Sequence, residues 1–392
     1  MHMPRTFDPL KRWYIKPLAH SFYALYKPIQ DIMATIPALE SRGNKPLQMS
    51  FEEHINALIF FHLEDHTSAQ HLLQALEEDD FARSEIAPTG SIKKSSFSEA
   101  TNTRGLEQFL SVFEKLQQQA AHLLPDCHPD LGRLVAVDGS LIDATLSMEW
   151  ADYRERAKKA KTHIGFDLNR GIPGKIFFTN GKGAERPFVA EVLSPGETGV
   201  IDRGYQSHDM FDLWQEEGTL FLCRIKSKTV KTVIEAHPVV PGSIVFYDAV
   251  VVLGTAGING TKKPLRLVGY DVDGVRYWIA TNRYDLSAEQ VAAAYKLRWD
   301  IENFFGWWKR HLKVYHLIAR SRHGLMVQIL AGLITYLLLA IYCHEHYHEK
   351  ISIKRVRQLR MHIQNELRAA PANAENVDNI KEPDLQNLYA KT

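Results

Sequence analysis

Cysteine is scarce in this chain of 392 residues: Cys127, Cys223 and Cys343 stand far apart and without the close spacing of a zinc site. That argues against a disulfide framework and fits a reducing cytoplasm, the expected compartment. Charge of one sign is also lacking, with 47 Lys and Arg against 46 Asp and Glu. A nucleic-acid role therefore cannot rest on overall charge. The first residues carry no apolar signal segment, and no internal repeat or low-complexity tract is found. One long apolar run exists, LMVQILAGLITYLLLAIYC from Leu325 to Cys343. It contains Gln328 and Thr335 and ends in the polar HEHYHEK, so it reads as a buried helix in a large core, with no membrane partner expected.

What is present is enough for two or three domains, with an apolar content of 45% that suits a globular protein. Positive charge is clustered although the total is neutral. Arg154, Arg156, Lys158, Lys159 and Lys161 form one group; Lys350, Lys354, Arg355, Arg357 and Arg360 form another. Such groups are usually solvated faces, and they are also what phosphate-binding surfaces are made of.

Periodicity divides the chain. Residues 1–125 show apolar recurrence at helical spacing and read as a helical domain. Within it, Lys93, Lys94 and a Ser/Thr-rich turn lead into a helix with caps expected at Ser96 or Ser98, a weak helix-turn-helix signal. Residues 126–225 switch to strands and short helices, beginning with RLVAVD, a short strand expected to end at Asp138 before the turn residues Gly139 and Ser140. Residues 226–285 read as a separate β-rich block, 286–348 as helices, and 349–392 as a basic helical segment with a polar tail. The fold class is α/β, behind an all-helical N-terminal domain.

In AAAYKLRWDIENFFGWWKRHLKV, the residues Tyr295, Arg298, Glu302 and Lys309 are three, four and seven positions apart. At roughly 100° per residue they share one face of a predicted helix, while Leu297, Ile301, Phe304, Phe305, Trp308 and Leu312 gather on the neighbouring face toward a core. Alone, such a polar set is usually a solvated stripe. Two more carboxylates change its weight. Asp138 and Asp202 each follow a short run of β-type apolar residues and precede a glycine, the place where α/β sheets hold functional groups. Turn-starting aspartates look the same when taken singly. Three carboxylates together need cations, and an all-oxygen set suits Mg²⁺ or Mn²⁺ beside a phosphodiester. Arg298 and Lys309 would then grip phosphate oxygens, and Tyr295 would donate to another.

VAVDGS at Asp138, VIDRGY at Asp202, and the Y-(2)-R-(3)-E-(6)-K signature resemble the DDE transposases of bacterial insertion sequences, the insertion-sequence-four family in particular. The similarity covers about residues 130–345. It implies a ribonuclease-H-like catalytic domain interrupted by a β-rich insertion, which the hundred or so residues between Asp202 and Glu302 leave room for. It also implies that Asp138, Asp202 and Glu302 bind two Mg²⁺, with Mn²⁺ as a substitute, and that the enzyme nicks, forms and reopens a hairpin, and joins 3′ ends to target DNA. The partners would be double-stranded DNA, both terminal inverted repeats and target, and a second copy of the chain.

A flipped base stacked on an aromatic residue is part of that pattern. Trp278 matches by position, although packing within its own strands explains it about as well; Trp299 is a second stacking candidate. Trp307 and Trp308 read as core. Asp143 lacks the context of Asp138, and His163 reads as an ordinary strand histidine. Two other functions stay open: a related endonuclease that cuts without strand transfer, and a domesticated DNA-binding protein that keeps the fold without the reaction.

Overall fold

The computed structural model describes residues 20–40, 46–64, 66–79, 82–86, 92–144, 152–154, 157–180, 188–312, 314 and 316–373. The first helices are α1 (His20–Met33), α2 (Phe51–Leu63), α3 (Ala69–Glu78), α4 (Lys94–Thr103) and α5 (Leu106–Leu123). Ser50 starts α2 with a capping box: its hydroxyl accepts from the Glu53 N–H, and the Glu53 carboxylate accepts from the Ser50 N–H. The start of α4 differs from expectation. Lys93 is its cap, without a side-chain bond. Ser96 lies inside the helix, buried, donating to Gln48 Oε1 at 2.7 Å, so its hydroxyl is not available for capping.

Strands follow: β1 (Arg133–Ala144), β2 (Asp152–Arg154), β3 (Ala157–Asp167), β4 (Ile172–Asn180), then α6 (Phe188–Val192), β5 (Glu197–Ile201), α7 (His208–Glu217) and β6 (Leu220–Arg224). After them come β7 (Lys231–Ala236), β8 (Val245–Leu253), β9 (Leu265–Val272) and β10 (Val275–Thr281). All ten join one sheet in the order β2-β3-β1-β5-β6-β10-β9-β8-β7, with β4 on β3. Only β1 with β5 and β5 with β6 are parallel. Two expectations change here. The strands of 226–285 are hydrogen-bonded into the main sheet through β10 on β6 rather than standing as a separate block. And β1 does not end at Asp138; its antiparallel partner β3 carries the ladder on through Gly139 and Ser140 to Ala144. The β9–β10 hairpin turns at Asp273 (φ 52°) and Gly274 (φ 79°), two successive left-handed residues as a tight type I′ connection requires.

Alternate residues face opposite sides of the sheet. Leu134 and Ala136 of β1, Val200 of β5 and Leu222 of β6 pack with the helices α8 (Ala288–Lys296), α9 (Trp299–His311) and α10 (Arg322–Tyr347). Val135, Val137, Ile201 and Cys223 face α6 and α7 on the other side. Gly165 permits that second layer, since a Cβ there would stand 2.3 Å from Val192 Cγ1.

The long apolar run is α10, buried from Gly324 to Cys343 apart from Met326. It is sheathed by α1, α2, α4 and α5, and the same apolar cluster runs on through α8 and α9 to the sheet. The N-terminal helices therefore share a core with the strand-bearing region. Each large aliphatic side chain buried along α10 contributes roughly 1.5–3 kcal/mol, and a second apolar cluster lies across the sheet with α6 and α7. The last helix is α11 (Ile353–Asn373).

Candidate active site

The parallel ladder of β1 and β5 closes with Val137 opposite Ile201, so Asp138 and Asp202 are the next residues on two adjacent strands. Ile201 is also opposite Cys223 on β6, which makes Arg224 the third residue of that row. Asp138 has the parity of Ala136, Asp202 of Val200 and Arg224 of Leu222. All three belong to the sheet face on which α8 and α9 pack. The Gly139 N–H donates to Asp138 Oδ1 at 2.8 Å, fixing that carboxylate against its own strand.

Opposite stands the predicted helix, with one difference. It is two helices: α8 ends at Lys296 and α9 begins at Trp299. The joint at Leu297 and Arg298 keeps right-handed helical dihedrals but is tightened by i to i+3 bonds, Arg298 N–H to Tyr295 O and Asp300 N–H to Leu297 O. The core face expected on this segment is buried, with Ile301, Phe304, Phe305, Trp308 and Leu312 all under 9% exposed. The polar face meets the strand row. Tyr295, 3% exposed, donates from its hydroxyl to Asp202 Oδ1 at 3.4 Å. Burial pushes the Tyr295 phenol well up; Arg298 opposes and the Asp202 charge adds to the rise, so Tyr295 stays a donor at any physiological pH.

Arg298 donates to Glu302 Oε1 at 2.7 Å and lies 5.9 Å from the Tyr295 ring centre. Burial disfavours its charge, yet Tyr295, the Glu302 hydrogen bond and Asp202 outweigh burial, and its pKa moves up. Lys309 donates to the Leu141 carbonyl at 2.8 Å, which seats it on β1 three residues beyond Asp138. The structure thus brings Asp138, Asp202, Tyr295, Arg298, Glu302 and Lys309 to one end of the parallel strands. Arg224 is the residue that sequence reasoning overlooked. Its guanidinium sits 4.6 Å over the Tyr277 ring, and Tyr277 stacks on Tyr270 at 5.1 Å. Strand parity in TLFLCRIKS was the signal that could have found it.

The two stacking candidates separate. Trp299, 58% exposed, opens α9 beside Arg298 and presents its indole to solvent. Trp278 packs on the opposite side of the sheet, with the cluster of α6 and α7. The two-residue period of β10 sends it there, since Ile279 takes the α8–α9 side. Lys231 lies 4.6 Å over the Trp278 ring, and Phe246 and Tyr247 meet it edge-on. Trp278 is therefore not brought to the carboxylates. Asp143 lies in β1, but its side chain falls outside the described residues, as do those of Arg154, Arg156, Lys158 and Lys159.

The donor chemistry of Asp138, Asp202 and Glu302 suits a hard divalent cation, being oxygen throughout. As the side chains lie, Glu302 is turned to Arg298, and among the described residues no three such groups stand close enough to hold an ion.

The sequence matches the family described as Transposase DDE domain over residues 129–338, more than half of the chain. A Geobacillus stearothermophilus protein named "Probable transposase for insertion sequence element IS5377" is 28% identical over 199 residues, covering 49% of this chain and 52% of that protein. The protein y4zB of Sinorhizobium fredii, also named as a transposase, is 28% identical over 198 residues, covering 49% and 56%. A Synechocystis protein named as a transposase for insertion sequence element IS4SA is 26% identical over 260 residues, covering 63% and 71%. This chain thus spans little more than half the length of the first two. Among solved structures, the piggyBac transposase synaptic complex with hairpin DNA aligns at a TM-score of 0.43 and 12% identity, covering 97% of this chain and 88% of that one. By the match over residues 129–338, the chain belongs to the transposase DDE domain family.

Proposed function

We propose that this protein is a DNA transposase of the insertion-sequence-four group, moving an insertion sequence by cleavage at its terminal inverted repeats, hairpin formation and strand transfer to target DNA. The observation that carries the reading is the juxtaposition at the strand ends: Asp138 beside Asp202 in register, Tyr295 on Asp202, and Arg298 on Glu302. A ribonuclease-H-like arrangement is supported by the order β4-β3-β1-β5-β6, antiparallel for its first three strands and parallel for the rest.

Asp138, Asp202 and Glu302 would hold two Mg²⁺, replaceable by Mn²⁺; bound there, such ions polarise a phosphodiester and lower the pKa of an attacking water or 3′-hydroxyl. Arg298, charged at all relevant pH and mostly buried, exchanges its single bond to Glu302 for phosphate oxygens through its planar fork. Tyr295 donates its proton to an oxygen and keeps it, because its phenol is too weak an acid to give it up. Lys309 places an ammonium beside β1, where a strand passing the carboxylates would run. Trp299 offers an exposed face for an unstacked base. The N-terminal helices would recognise the terminal repeat, and two copies would act together on two ends.

A supercoiled plasmid carrying the matching terminal repeats, incubated with and without Mg²⁺, tests the proposal. Excision with hairpin ends in Mg²⁺ supports it. Cuts that ignore the repeats would point to an endonuclease, and repeat binding without cleavage to a DNA-binding protein.

A further inference from the structure

Arg224 closes β6 in the row of the two aspartates. Cys223 pairs with Ile201 of β5, so Arg224 stands one strand over from Asp202. On its other side Arg224 is opposite Ile279 of β10. Leu222 and Ile279 both pack with α8 and α9, which puts the Arg224 side chain on the sheet face that meets Tyr295 and Arg298.

The guanidinium is held but not satisfied. It lies 4.6 Å over the Tyr277 ring, which stacks on Tyr270 with 7° between the ring planes. Tyr270 is 1% exposed, so this platform is anchored in the core. A ring face attracts the cation yet supplies no oxygen for its five N–H donors. Among the described residues Arg224 has no ion pair, and its guanidinium has no hydrogen bond. The buried arginines nearby differ: Arg266 has Asp248, Arg283 has Asp285 and Arg298 has Glu302. An apolar side chain would pack on Tyr277 without the cost of half-burying a charge that lacks an acceptor.

Along the chain, the charge near Arg224 has one sign. No acidic residue occurs from Gly218 to Ile234, where Lys226, Lys228 and Lys231 also stand. Burial and Tyr277 push the Tyr270 phenol up, while the charges of Arg224 and Arg298 pull it back, so both guanidiniums act on one phenol. When Asp202 and Glu302 hold cations, as proposed above, those two guanidiniums are left without counter-charge and favour an anion. Neighbouring strands are about 4.8 Å apart, so an anion held by Arg224 lies one strand spacing from Asp202. We propose that Arg224, braced on Tyr277, holds a non-bridging oxygen of the DNA phosphate adjacent to the one that meets Asp138 and Asp202. This rests on the reading of the protein as a DNA-cleaving enzyme.

The test is binding of fluorescent duplexes that carry the terminal repeat and its flank, measured without divalent cations so that no cleavage occurs. Each duplex has one uncharged methylphosphonate linkage, placed on one side or the other of the scissile one. Wild-type protein should bind one of the two about tenfold or more weaker than the unmodified duplex, as the loss of a charge-assisted hydrogen bond requires. Arg224→Gln should bind the unmodified duplex that much weaker and show no further loss at the same linkage. Arg224→Lys, which keeps the charge, should remain sensitive there. Lys262→Gln, on the α7 side of the sheet where its N–H meets Asp212, should behave as wild type. Thermal melting establishes that each variant is folded. A folded Arg224→Gln protein that binds like wild type, or that stays sensitive to the same linkage, overturns the contact. Wild-type indifference to both linkages overturns it whether or not the variant folds. Excision from the repeat-bearing plasmid reports separately on the enzyme reading: linkage sensitivity without excision keeps the contact and removes the reaction, whereas excision without linkage sensitivity does the opposite.

Discussion

Two buried arginines, one in the antiparallel half of the sheet and one on the helix joint that faces the parallel half, are treated in opposite ways. Arg266, in the antiparallel half, holds Asp248 through Nε and Nη2 at 2.9 and 2.8 Å, and its third nitrogen donates to the Leu286 and Arg283 carbonyls. Both ion-pair partners are under 9% exposed, and each guanidinium nitrogen has an acceptor. Arg298, at the end of the parallel half, makes a single 2.7 Å bond to a Glu302 side chain that is 36% exposed. It feels the charge of Asp202 and the Tyr295 phenol without a hydrogen bond to either. A saturated pair locks a structure, because removing one partner strands a buried charge. An unsaturated pair keeps donors ready for a ligand. The saturated arginine lies where the antiparallel strands need a rigid frame, and the unsaturated one where parallel strands end and leave room.

Substitution should break this comparison in opposite directions. The largest effect is expected at the carboxylates: Asp202→Asn should cut repeat-end cleavage by roughly 10³-fold or more, some 4 kcal/mol of barrier, while thermal melting stays close to wild type. Arg266→Met should do the reverse, destabilising the fold by about 3–5 kcal/mol as Asp248 loses its partner. Denaturant titration measures this, and a stable Arg266→Met protein would mean that the pair is not the frame described here.

The helical layer around α10 offers a third kind of buried group. His62 is fully buried with its two ring nitrogens against the Leu312 and Gln328 carbonyls, donating to one of them when neutral, and burial takes its pKa from 6.5 down to about 4 against the pull of those carbonyls. The unfolded chain binds a proton below pH 6.5, whereas the folded one resists until about pH 4. Stability contributed by a neutral His62 is therefore complete above pH 6.5 and is lost as pH falls toward 4, by roughly 3 kcal/mol. A His62→Asn variant should show a flatter fall in stability over that window; an equally steep one would remove His62 as the cause.

The smallest expected effects sharpen the account of the polar helix face. Arg298→Lys keeps a charge but not the fork, and should slow cleavage by about 10- to 100-fold with little change in stability. Tyr295→Phe removes one donor to Asp202 and should cost about tenfold or less. If Tyr295→Phe slowed cleavage as much as Asp202→Asn, the phenol would be taking part in proton transfer, against its raised pKa.

How much of this could be read from residues alone varies with the range of the interaction. The signature at Tyr295, Arg298, Glu302 and Lys309 was legible because helix spacing is local, and the tightened step at Leu297 and Arg298 escaped because it shifts only a few dihedrals. Asp138 and Asp202 were visible as the ends of apolar runs. The extension of β1 to Ala144 was not, since it depends on β3, some twenty residues away in sequence. The strands of 226–285 read correctly as β-rich, but their union with the main sheet hangs on β10 pairing with β6 across more than fifty residues. Trp278 shows the same limit. Its strand could be foreseen, and its side of the sheet follows only from the register that puts Ile279 against the helices.

The central claim is that Asp202 is a metal ligand among three carboxylates, and a change of ligand softness tests it most directly. Asp202→Cys puts a thiolate where a carboxylate stood, and thiolates favour Mn²⁺ over Mg²⁺. Repeat-end cleavage by Asp202→Cys should be lost in Mg²⁺ and partly restored in Mn²⁺, relative to wild type in the same ion. Equal loss in both ions in a folded variant, or full activity in Mg²⁺, would contradict the assignment of Asp202 to a metal site.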